Sequence, residues 1–247
     1  MSSSLNDFRE KVVLVTGAGS SIGREADLND QGLAETRDLI VQAGGSAHVG
    51  RADVSEEKEV AASVARISDE VGRLDVAFNN AGITGEAHRI EDYPTSDFDK
   101  VIRINLRSVF LGLKYELPLM RRSGGGAICN TASVAALTGP SGMCAYAASK
   151  HAIHGLTRVA SMENGAHKIR VNTLAPGWTE TPMVAVASAQ NPAFAKQDLS
   201  TIPAKRGGQP REVAAAAVWL CSAEASYIFG QMLVVDGGMT IGGFAPS

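Results

Sequence analysis

Short apolar runs alternate with longer helix-like segments along almost the whole chain of 247 residues. The runs predicted as strands are residues 12–16, 47–51, 76–79, 126–131, 170–175 and 232–235. The predicted helices cover residues 32–43, 56–71, 95–121, 145–164 and 211–221. Apolar strands separated by helices are typical of βαβ units. The pattern therefore predicts an α/β fold in which a doubly wound parallel sheet carries helices on both faces.

The first predicted strand runs directly into a glycine-rich turn, with the sequence GAGSSIG at residues 17–23. Glycines at such a turn let the backbone bend tightly and approach a pyrophosphate at the N-terminus of the following helix. A glycine-rich turn in isolation is weak evidence, whereas one that directly follows a strand indicates a dinucleotide site.

Tyr146 and Lys150 are four residues apart in a predicted helix, and Ser133 precedes Tyr146 by thirteen residues. The spacing places the phenol and the ammonium on one face of the helix. We expect the cation to lower the pKa of Tyr146 toward neutral pH, because it favours the phenolate. Ser133 adds a hydroxyl that can hold a substrate oxygen. The three residues predict proton transfer in alcohol or ketone chemistry. A Tyr–Lys pair without further motifs is common by chance and is better explained by an ordinary amphipathic helix.

The composition is that of an ordinary globular domain, with 45% hydrophobic residues, a net charge of −3 and a pI of about 6.0. We expect no nucleic-acid partner, because there is no basic stripe, and no membrane partner, because no apolar run approaches spanning length. The polar first eight residues do not resemble a signal peptide. Three isolated cysteines, Cys129, Cys144 and Cys221, predict a reducing, cytoplasmic location and no metal site.

Four further motifs accompany the glycine turn and the Tyr–Lys pair. They are NNAG at residues 79–82, INLRSVF with Asn105, NTLAPGWTET with Pro176, Gly177 and Thr181, and VVDGG at residues 234–238. In this order, and over nearly the whole chain, the motifs resemble the short-chain dehydrogenase/reductase family. The resemblance implies a single Rossmann-like domain over residues 1–247. It also implies an NAD(P)-dependent oxidoreductase that interconverts a secondary alcohol and a ketone by hydride transfer.

The resemblance also implies roles for individual residues. Tyr146 is the expected general acid/base, Lys150 its electrostatic partner, Ser133 the residue that holds the substrate oxygen, and Asn105 a residue that bends its helix and anchors a water. The expected cofactor-binding residues are Gly17, Ser21, Ile22, Gly23, Asp27, Asp53, Val54, Asn80, Ala81, Gly82, Tyr146, Lys150, Pro176, Gly177, Thr179 and Thr181. Taken singly, Asn80, Asn105 and the Pro176–Gly177 pair each have a purely structural explanation as turn or helix residues.

The expected cofactor is NAD rather than NADP. A carboxylate that ends the second strand, here Asp27, binds both ribose hydroxyls and repels a 2′-phosphate. In addition, the turn at residues 17–23 contains no Arg or Lys, which NADP-binding members of the family that the chain resembles often have there. The resemblance also implies a homodimer or homotetramer that packs through the two long helices, residues 95–121 and 145–164. The residues expected to line the substrate pocket are Ala135, Leu137, Met143, Trp178 and Met183.

The chain departs from the family pattern most strongly after Gly23. The phrase ADLNDQG reads as the end of the second strand, but its Asp27 follows Gly23 by only four residues. A helix and a strand normally separate the two positions by about 20 residues, so about 14 residues are missing. A smaller departure is Ser21, which occupies the usual place of a glycine in the turn.

Three explanations of the short segment are open. The printed sequence omits residues that the molecule contains; the deletion is real; or one helix covers residues 22–43 and residues 47–53 form the next strand, with Asp53 as the ribose acid. A real deletion leaves the central first strand without a partner on one side, which favours omission. The deletion also motivates an alternative function, a catalytically impaired family member that serves as a binding or oligomer subunit. Epimerase or dehydratase chemistry on the same scaffold is a third possibility.

Overall fold

A computed structural model describes residues 8, 10–18, 26–27, 30–190 and 199–241 of the chain. The strands among them are β1 (Val13–Val15), β2 (Ala26–Asp27), β3 (Gly50–Arg51), β4 (Val76–Asn79), β5 (Gly126–Thr131), β6 (Ile169–Pro176) and β7 (Met232–Val235). The α-helices are α1 (Asp30–Gln42), α2 (Glu57–Val71), α3 (Thr95–Ile102), α4 (Ser108–Arg122), α5 (Cys144–Asn164), α6 (Pro182–Gln190) and α7 (Pro210–Cys221). The predicted α/β fold is therefore confirmed.

Five parallel strands form the main sheet in the order β1–β4–β5–β6–β7. The pairing of β5 with β6 is the longest, running from Gly126 opposite Ile169 to Thr131 opposite Leu174. Because all five strands are parallel, their carboxyl ends meet along one edge of the sheet, where ligands of open α/β sheets bind.

Helices cover both faces of this sheet. On one face, Val64 of α2, Leu113 of α4 and Ile153 of α5 pack with Ile128 and Val171. On the other face, α7 contributes a second apolar cluster with strand residues; its members are Phe78, Cys129, Leu174, Val213, Ala217 and Leu220. Each fully buried Leu or Ile stabilises the fold by about 1.5–3 kcal/mol, so the two clusters hold the strand ends in fixed positions.

Most predicted elements agree with the structure to within one or two residues. The strands β4, β5 and β7 have the predicted bounds. The predicted helix over residues 95–121 is instead divided, because a π-helical turn, Arg103–Arg107, separates α3 from α4. A π-turn inserts one extra residue into a helix. The predicted local bend at Asn105 is present as this turn.

The predicted second strand is present as β2, which is two residues long. Ala26 and Asp27 pair in parallel with Gly50 and Arg51 of β3, so the prediction that Asp27 ends a second strand is confirmed. The alternative of one helix over residues 22–43 is wrong, because β2 precedes a helix that begins at Asp30. Within the described residues, β1 pairs with β4 alone, and β2 and β3 form a separate two-stranded sheet.

None of the helices in the described part of the chain is long and apolar enough to cross a membrane.

Candidate functional site

A cleft of about 340 Å³ opens at the carboxyl ends of the strands of the main sheet. Most of the predicted site residues that lie in the described part of the chain line this cleft. The lining residues are Gly17, Ala52, Asp53, Val54, Asn80, Ala81, Gly82, Ile83, Ile104, Thr131, Ala132, Ser133, Tyr146, Lys150, Pro176, Gly177, Thr179, Thr181, Met183 and Val184. Asn105 lies behind this wall and is fully buried.

Asn105 connects the π-turn to the segment after β4 and to α5. Its amide oxygen accepts a hydrogen bond from the Ile83 backbone N–H at 2.8 Å, and its amide nitrogen donates to the Ile83 carbonyl at 2.8 Å. The same nitrogen lies 3.1 Å from the Ser149 hydroxyl, which donates to the Tyr146 carbonyl. The π-turn is what directs this side chain away from its own helix, so Asn105 fixes the backbone beneath Tyr146.

Lys150 is buried, and its ammonium donates a hydrogen bond to the Thr131 carbonyl at 2.8 Å. Burial lowers the pKa of Lys150 to about 8, because desolvation disfavours the cation. The ammonium lies 5.6 Å from the centre of the Tyr146 ring. A side chain at Gly82 would come within 3.5 Å of the ammonium and 3.1 Å of the Asn105 amide oxygen, so glycine leaves room for both.

Tyr146 lies in the first turn of α5 and is half-buried. Burial raises the pKa of its phenol, and the hydrogen bond with Ser133 lowers that pKa by less. The expectation that Lys150 brings the pKa of Tyr146 down toward neutral is therefore wrong for the protein's own groups. The physical reason is that desolvation of the phenolate is the largest influence on this pKa and outweighs the hydrogen bond with Ser133.

Ser133 follows β5 with an extended backbone and lies in the wall of the cleft near Tyr146. Its hydroxyl oxygen accepts a hydrogen bond from the Ala135 N–H at 3.2 Å, which caps the short turn over residues 134–136. This bond fixes the hydroxyl oxygen but leaves its proton free to be donated. Ser133 can therefore donate to an oxygen in the cleft or interact with Tyr146.

The ends of β1, β4 and β5 are joined by side chains at the floor of the cleft. The Thr16 hydroxyl accepts from the backbone N–H groups of Asn80 and Ala81 at 3.1 and 3.3 Å. The Asn80 amide oxygen accepts from Thr131 at 3.2 Å. Gly17 has a φ of 70°, and a Cβ there would lie 2.8 Å from the Ala81 backbone. The close approach of these two backbones explains why Gly17 must be glycine.

Asp53 and Val54 follow β3 and line the same cleft. One carboxylate oxygen of Asp53 accepts from both the N–H and the hydroxyl of Ser55, and these bonds lower its pKa. This oxygen of Asp53 therefore stabilises the turn before α2. Of the other predicted cofactor residues, Asp27 ends β2, whereas Ser21, Ile22 and Gly23 lie outside the described residues.

The far wall of the cleft is formed after β6. Pro176 ends β6, Gly177 follows it, and the buried Thr179 bonds to the Gly177 carbonyl at 3.1 Å. The Thr181 hydroxyl accepts from the Val184 N–H at 3.2 Å and so caps α6. This helix brings Met183 into the cleft as predicted, whereas the other four residues expected around the substrate, Ala135, Leu137, Met143 and Trp178, do not line it.

Several residues of the site were not predicted from the sequence. Thr16 positions the backbone of Asn80 and Ala81, and Thr131 holds Lys150. Ser149 and the backbone of Ile83 hold Asn105. A signal existed for Thr16 and Thr131, because each is the polar residue at the carboxyl end of a predicted strand, where functional groups gather. No sequence signal marks the backbone of Ile83.

The family comparisons agree with this geometry. A short-chain alcohol dehydrogenase family model, described as enoyl-(acyl carrier protein) reductase, matches residues 24–240. The chain is 38% identical to levodione reductase of Leifsonia aquatica, with 97% of each chain covered. It is 37% identical to cyclohexanol dehydrogenase of Acinetobacter sp. (strain SE19), over 95% of this chain and 97% of that protein.

Solved structures match over the same length. A crystal structure of levodione reductase superposes with a TM-score of 0.90 at 36% identity, covering 94% of this chain and 98% of that one. A 7α-hydroxysteroid dehydrogenase complexed with NADH has a TM-score of 0.88 at 34% identity, covering 96% and 98%. A gluconate 5-dehydrogenase described as putative, from Beutenbergia cavernae with bound NADP, has a TM-score of 0.89 at 32% identity, covering 97% and 100%. This chain therefore belongs to the short-chain dehydrogenase/reductase family, and it is an oxidoreductase that acts on CH–OH groups.

Proposed function

We propose that the protein is an NAD(H)-dependent oxidoreductase that interconverts a secondary alcohol and its ketone, with Tyr146 as the general acid/base. The observation that carries the proposal is the convergence of Ser133, Tyr146 and Lys150 in one cleft with the backbone of residues 80–82. Relatives named as dehydrogenases and reductases favour this function over the impaired-subunit alternative.

The cleft residues fit a dinucleotide. The backbones at Gly17 and Gly82 pack closely on their neighbours at the floor of the cleft, since a Cβ at Gly17 would lie 2.8 Å from the Ala81 backbone and one at Gly82 would lie 3.1 Å from the Asn105 amide oxygen. Asp53 and Val54 would hold the adenine end, and the wall from Pro176 to Thr181 the carboxamide end. When bound, the nicotinamide ring accepts or supplies the hydride.

The side chains of this chain would handle the proton. Because burial raises the pKa of Tyr146, the phenol is protonated at rest, which suits donation to a ketone oxygen during reduction. Ser133 would donate a second hydrogen bond to that oxygen as its negative charge develops. In the oxidation direction Tyr146 would have to lose its proton before it accepts one from the alcohol. Burial opposes this phenolate, and the Lys150 ammonium, 5.6 Å from the ring centre, would offset part of that cost.

NAD is the proposed cofactor form. Asp27 ends β2, the position from which a carboxylate binds the ribose hydroxyls and repels a 2′-phosphate. Related structures contain either NADH or NADP, so the choice depends on this chain's own residues. Fluorescence titration with NADH and NADPH tests it: we expect tighter binding of NADH, and equal or tighter binding of NADPH would contradict the assignment.

A small cyclic alcohol or ketone is the proposed substrate class. Two relatives, 38% and 37% identical, are named for levodione and cyclohexanol, and the cleft presents the apolar side chains of Ile83, Met183 and Val184. Turnover of cyclohexanol, gluconate and a hydroxysteroid with NAD would be compared. We expect the highest kcat/KM for cyclohexanol, and a preference for gluconate or the hydroxysteroid would reject the class. Absence of saturable NADH binding in the fluorescence titration would instead favour the subunit alternative.

The short segment before Asp27 is tested by the intact mass of the purified protein. A mass above 25.8 kDa by about 14 residues would mean that the usual helix and strand exist. A mass of 25.8 kDa would mean that the deletion is real, and weak cofactor binding would then be expected. Tight NADH binding by a chain of that mass would contradict the importance we give to this segment.

A homodimer or homotetramer and a cytoplasmic location complete the proposal. Phe110 of α4 and Val159 and Met162 of α5 are exposed apolar residues, and Met162 is 87% exposed. Apolar residues on two neighbouring helices favour burial against a second copy. Sedimentation velocity would report a dimer or tetramer for the wild type and a shift toward monomer for Met162→Glu; a monomeric wild type would reject the assembly.

A further inference from the structure

Glu116 is an acidic residue of α4 that the proposed reaction does not use. Its side chain is 1% exposed, which is rare for a carboxyl group. One carboxyl oxygen, Oε2, accepts a hydrogen bond from the Asn79 amide nitrogen at 3.1 Å. The other, Oε1, is buried and has no hydrogen-bond partner among the described residues. A buried polar atom of this kind requires a physical explanation.

The partner of Glu116 directly precedes three residues that line the cleft. Asn79 is the last residue of β4, and the next three residues, Asn80, Ala81 and Gly82, line the cleft. The Asn79 amide nitrogen also donates to Asn130 of β5 at 3.0 Å, and Asn130 donates to Thr157 of α5 at 3.0 Å. The set Glu116–Asn79–Asn130–Thr157 thus crosses from α4 through two strands to α5, directly beneath the cofactor-binding floor. We call it the polar chain.

Among the described residues that line the space around Glu116, none carries a charge that would hold a carboxylate. A cavity of about 30 Å³ adjoins it, large enough for about one water. The groups that face this cavity from β1, β4, α2 and α4 are Thr16, Asn79, Ser63 and Ser108, and none of them titrates near neutral pH. The charged pair Glu57 and Lys114, which joins α2 to α4, is exposed on the outer surface.

Glu116 Oε1 is packed against α4 itself. A Cβ on Gly112 would lie 3.0 Å from Glu116 Oε1 and 2.8 Å from the Asn79 amide oxygen. An ionised Glu116 would keep Oε1 as a buried acceptor without a donor among the described residues. A protonated Oε1 becomes a donor, and a water in the adjoining cavity can accept from it. A buried carboxyl without a cationic partner is in any case far less costly in its neutral form.

We propose that Glu116, as an uncharged acid, is a positioning residue that holds Asn79 and thereby fixes the end of β4 whose next three residues bind the cofactor. This inference rests on the proposed function. It assigns to α4 a proton-dependent contribution to cofactor binding that is separate from the chemistry of Tyr146. Ionisation of Glu116 would place an unpaired charge beside Asn79 and loosen the floor of the cleft.

The expected pH window follows from burial. Desolvation raises the pKa of Glu116 from an ordinary value of 4.5 to about 7, against a smaller opposing effect of Asn79. The folded protein therefore binds more protons than the unfolded chain between these values. The stabilising contribution is complete below about pH 4.5 and is lost as the pH rises through about 7.

The test compares Glu116→Gln, Glu116→Leu and a surface control, Glu224→Gln, with the wild type. Glu224 is exposed, so its variant makes the same Glu-to-Gln replacement away from the polar chain. Gln can accept from Asn79 and donate from its own amide, whereas Leu can do neither. Thermal stability is measured from pH 5 to pH 9, and the NADH dissociation constant by fluorescence from pH 6 to pH 9.

The wild type and Glu224→Gln should lose NADH affinity severalfold as the pH rises through about 7, and Glu116→Gln should not. At pH 6.5 we expect Glu116→Gln to bind NADH within about twofold of the wild type and Glu116→Leu to bind about fivefold more weakly, since one buried hydrogen bond is lost. The Tm of the wild type should also fall relative to that of Glu116→Gln over the same window.

Identical pH profiles for the wild type and Glu116→Gln would overturn the proposal. This comparison remains decisive if Glu116→Leu fails to fold, because Gln keeps the shape of the side chain. A wild type that binds no NADH at any pH would reject the proposed function and the positioning role together. If NADH binds but only the Tm profiles differ, Glu116 is a structural residue and the positioning role is wrong.

Discussion

The catalytic side and the nucleotide side of the cleft differ in how firmly hydrogen bonds and strand pairing hold their residues in place. On the catalytic side, Asn105, Ser149, Lys150 and Thr131 are linked by hydrogen bonds between the π-turn, α5 and β5. On the nucleotide side, β1 pairs with one strand within the described residues, and β2 and β3 are two residues long each. The contacts that arrange the acid/base group therefore lie after β4 in the chain. A shortened region before α1 should affect cofactor binding far more than the chemical step.

The sharpest test of the catalytic side is Tyr146→Phe. Loss of the phenolic hydroxyl removes the proton donor, and we expect kcat to fall by about 10²–10⁴-fold. The NADH dissociation constant should stay within about twofold, because the ring and its packing remain. Steady-state kinetics and fluorescence titration measure the two effects. Tyr227→Phe is the matched control, since Tyr227 is 98% exposed; joint loss of binding and turnover in Tyr146→Phe would reject its assigned role.

The nucleotide side is tested by inserting the segment that the family pattern predicts between Gly23 and Asp27. Insertion of the matching segment of levodione reductase between Gly23 and Asp27 of the 247-residue chain should lower KM for NADH about tenfold, or about 1.4 kcal/mol. It should leave kcat within about twofold. Tm should rise by several degrees, since each kcal/mol shifts Tm by about 2–4 °C at this size.

A Gly/Ser segment of equal length is the control for that insertion, because it lengthens the chain without supplying a helix or a strand. It should improve neither KM nor Tm. If the Gly/Ser segment lowers KM and raises Tm as much as the levodione reductase segment, the nucleotide side needs only added chain length and not an added helix and strand. A change confined to kcat would show that the two sides of the cleft are not separable.

On the catalytic side, the fixation of the backbone is tested by Asn105→Ala. The substitution leaves the N–H and carbonyl of Ile83 without their partner, at a cost of about 1–3 kcal/mol for a buried unsatisfied group. Ser149→Ala loses the hydroxyl that donates to the Tyr146 carbonyl and should cost about 1 kcal/mol. Denaturant unfolding measures both losses. Equal losses would contradict the central place that we give to Asn105.

Features of the fold and the site that depend on local sequence patterns were predictable from the sequence. The strands β4, β5 and β7 were predictable because apolar runs with glycine or polar residues at their ends define buried parallel strands. Tyr146, Lys150 and Ser133 were predictable as neighbours because helix periodicity and the strand-end rule both place them at one edge of the sheet. The wall formed by Pro176 and Thr181 followed from a recognised motif.

Properties that depend on burial were not predictable. The pKa of Tyr146 is raised rather than lowered, since spacing reveals a neighbouring cation but not the desolvation, which is the largest influence on this pKa. Likewise, the sequence gives no sign that Glu116 is buried, because a Glu in the middle of a helix is ordinarily solvated. The Lys150 contact with the Thr131 carbonyl depends on how α5 packs on β5, which no local pattern specifies.

The smallest effect should occur where the two sides meet, at Gly82. In Gly82→Ala the new Cβ lies 3.1 Å from the Asn105 amide oxygen and 3.5 Å from the Lys150 ammonium, so one neighbour must move by a few tenths of an ångström. We expect KM for NADH to rise about two- to threefold with little change in Tm, since displacement of a positioning group costs rate and binding before it costs stability. Gly155→Ala in α5 is the control, because nothing lies within 4 Å of its Cβ. There alanine should stabilise the helix by about 0.5–1 kcal/mol and leave KM unchanged. If Gly82→Ala behaves like Gly155→Ala, the close contact between the segment after β4 and the Asn105–Lys150 pair does not couple the two sides of the cleft.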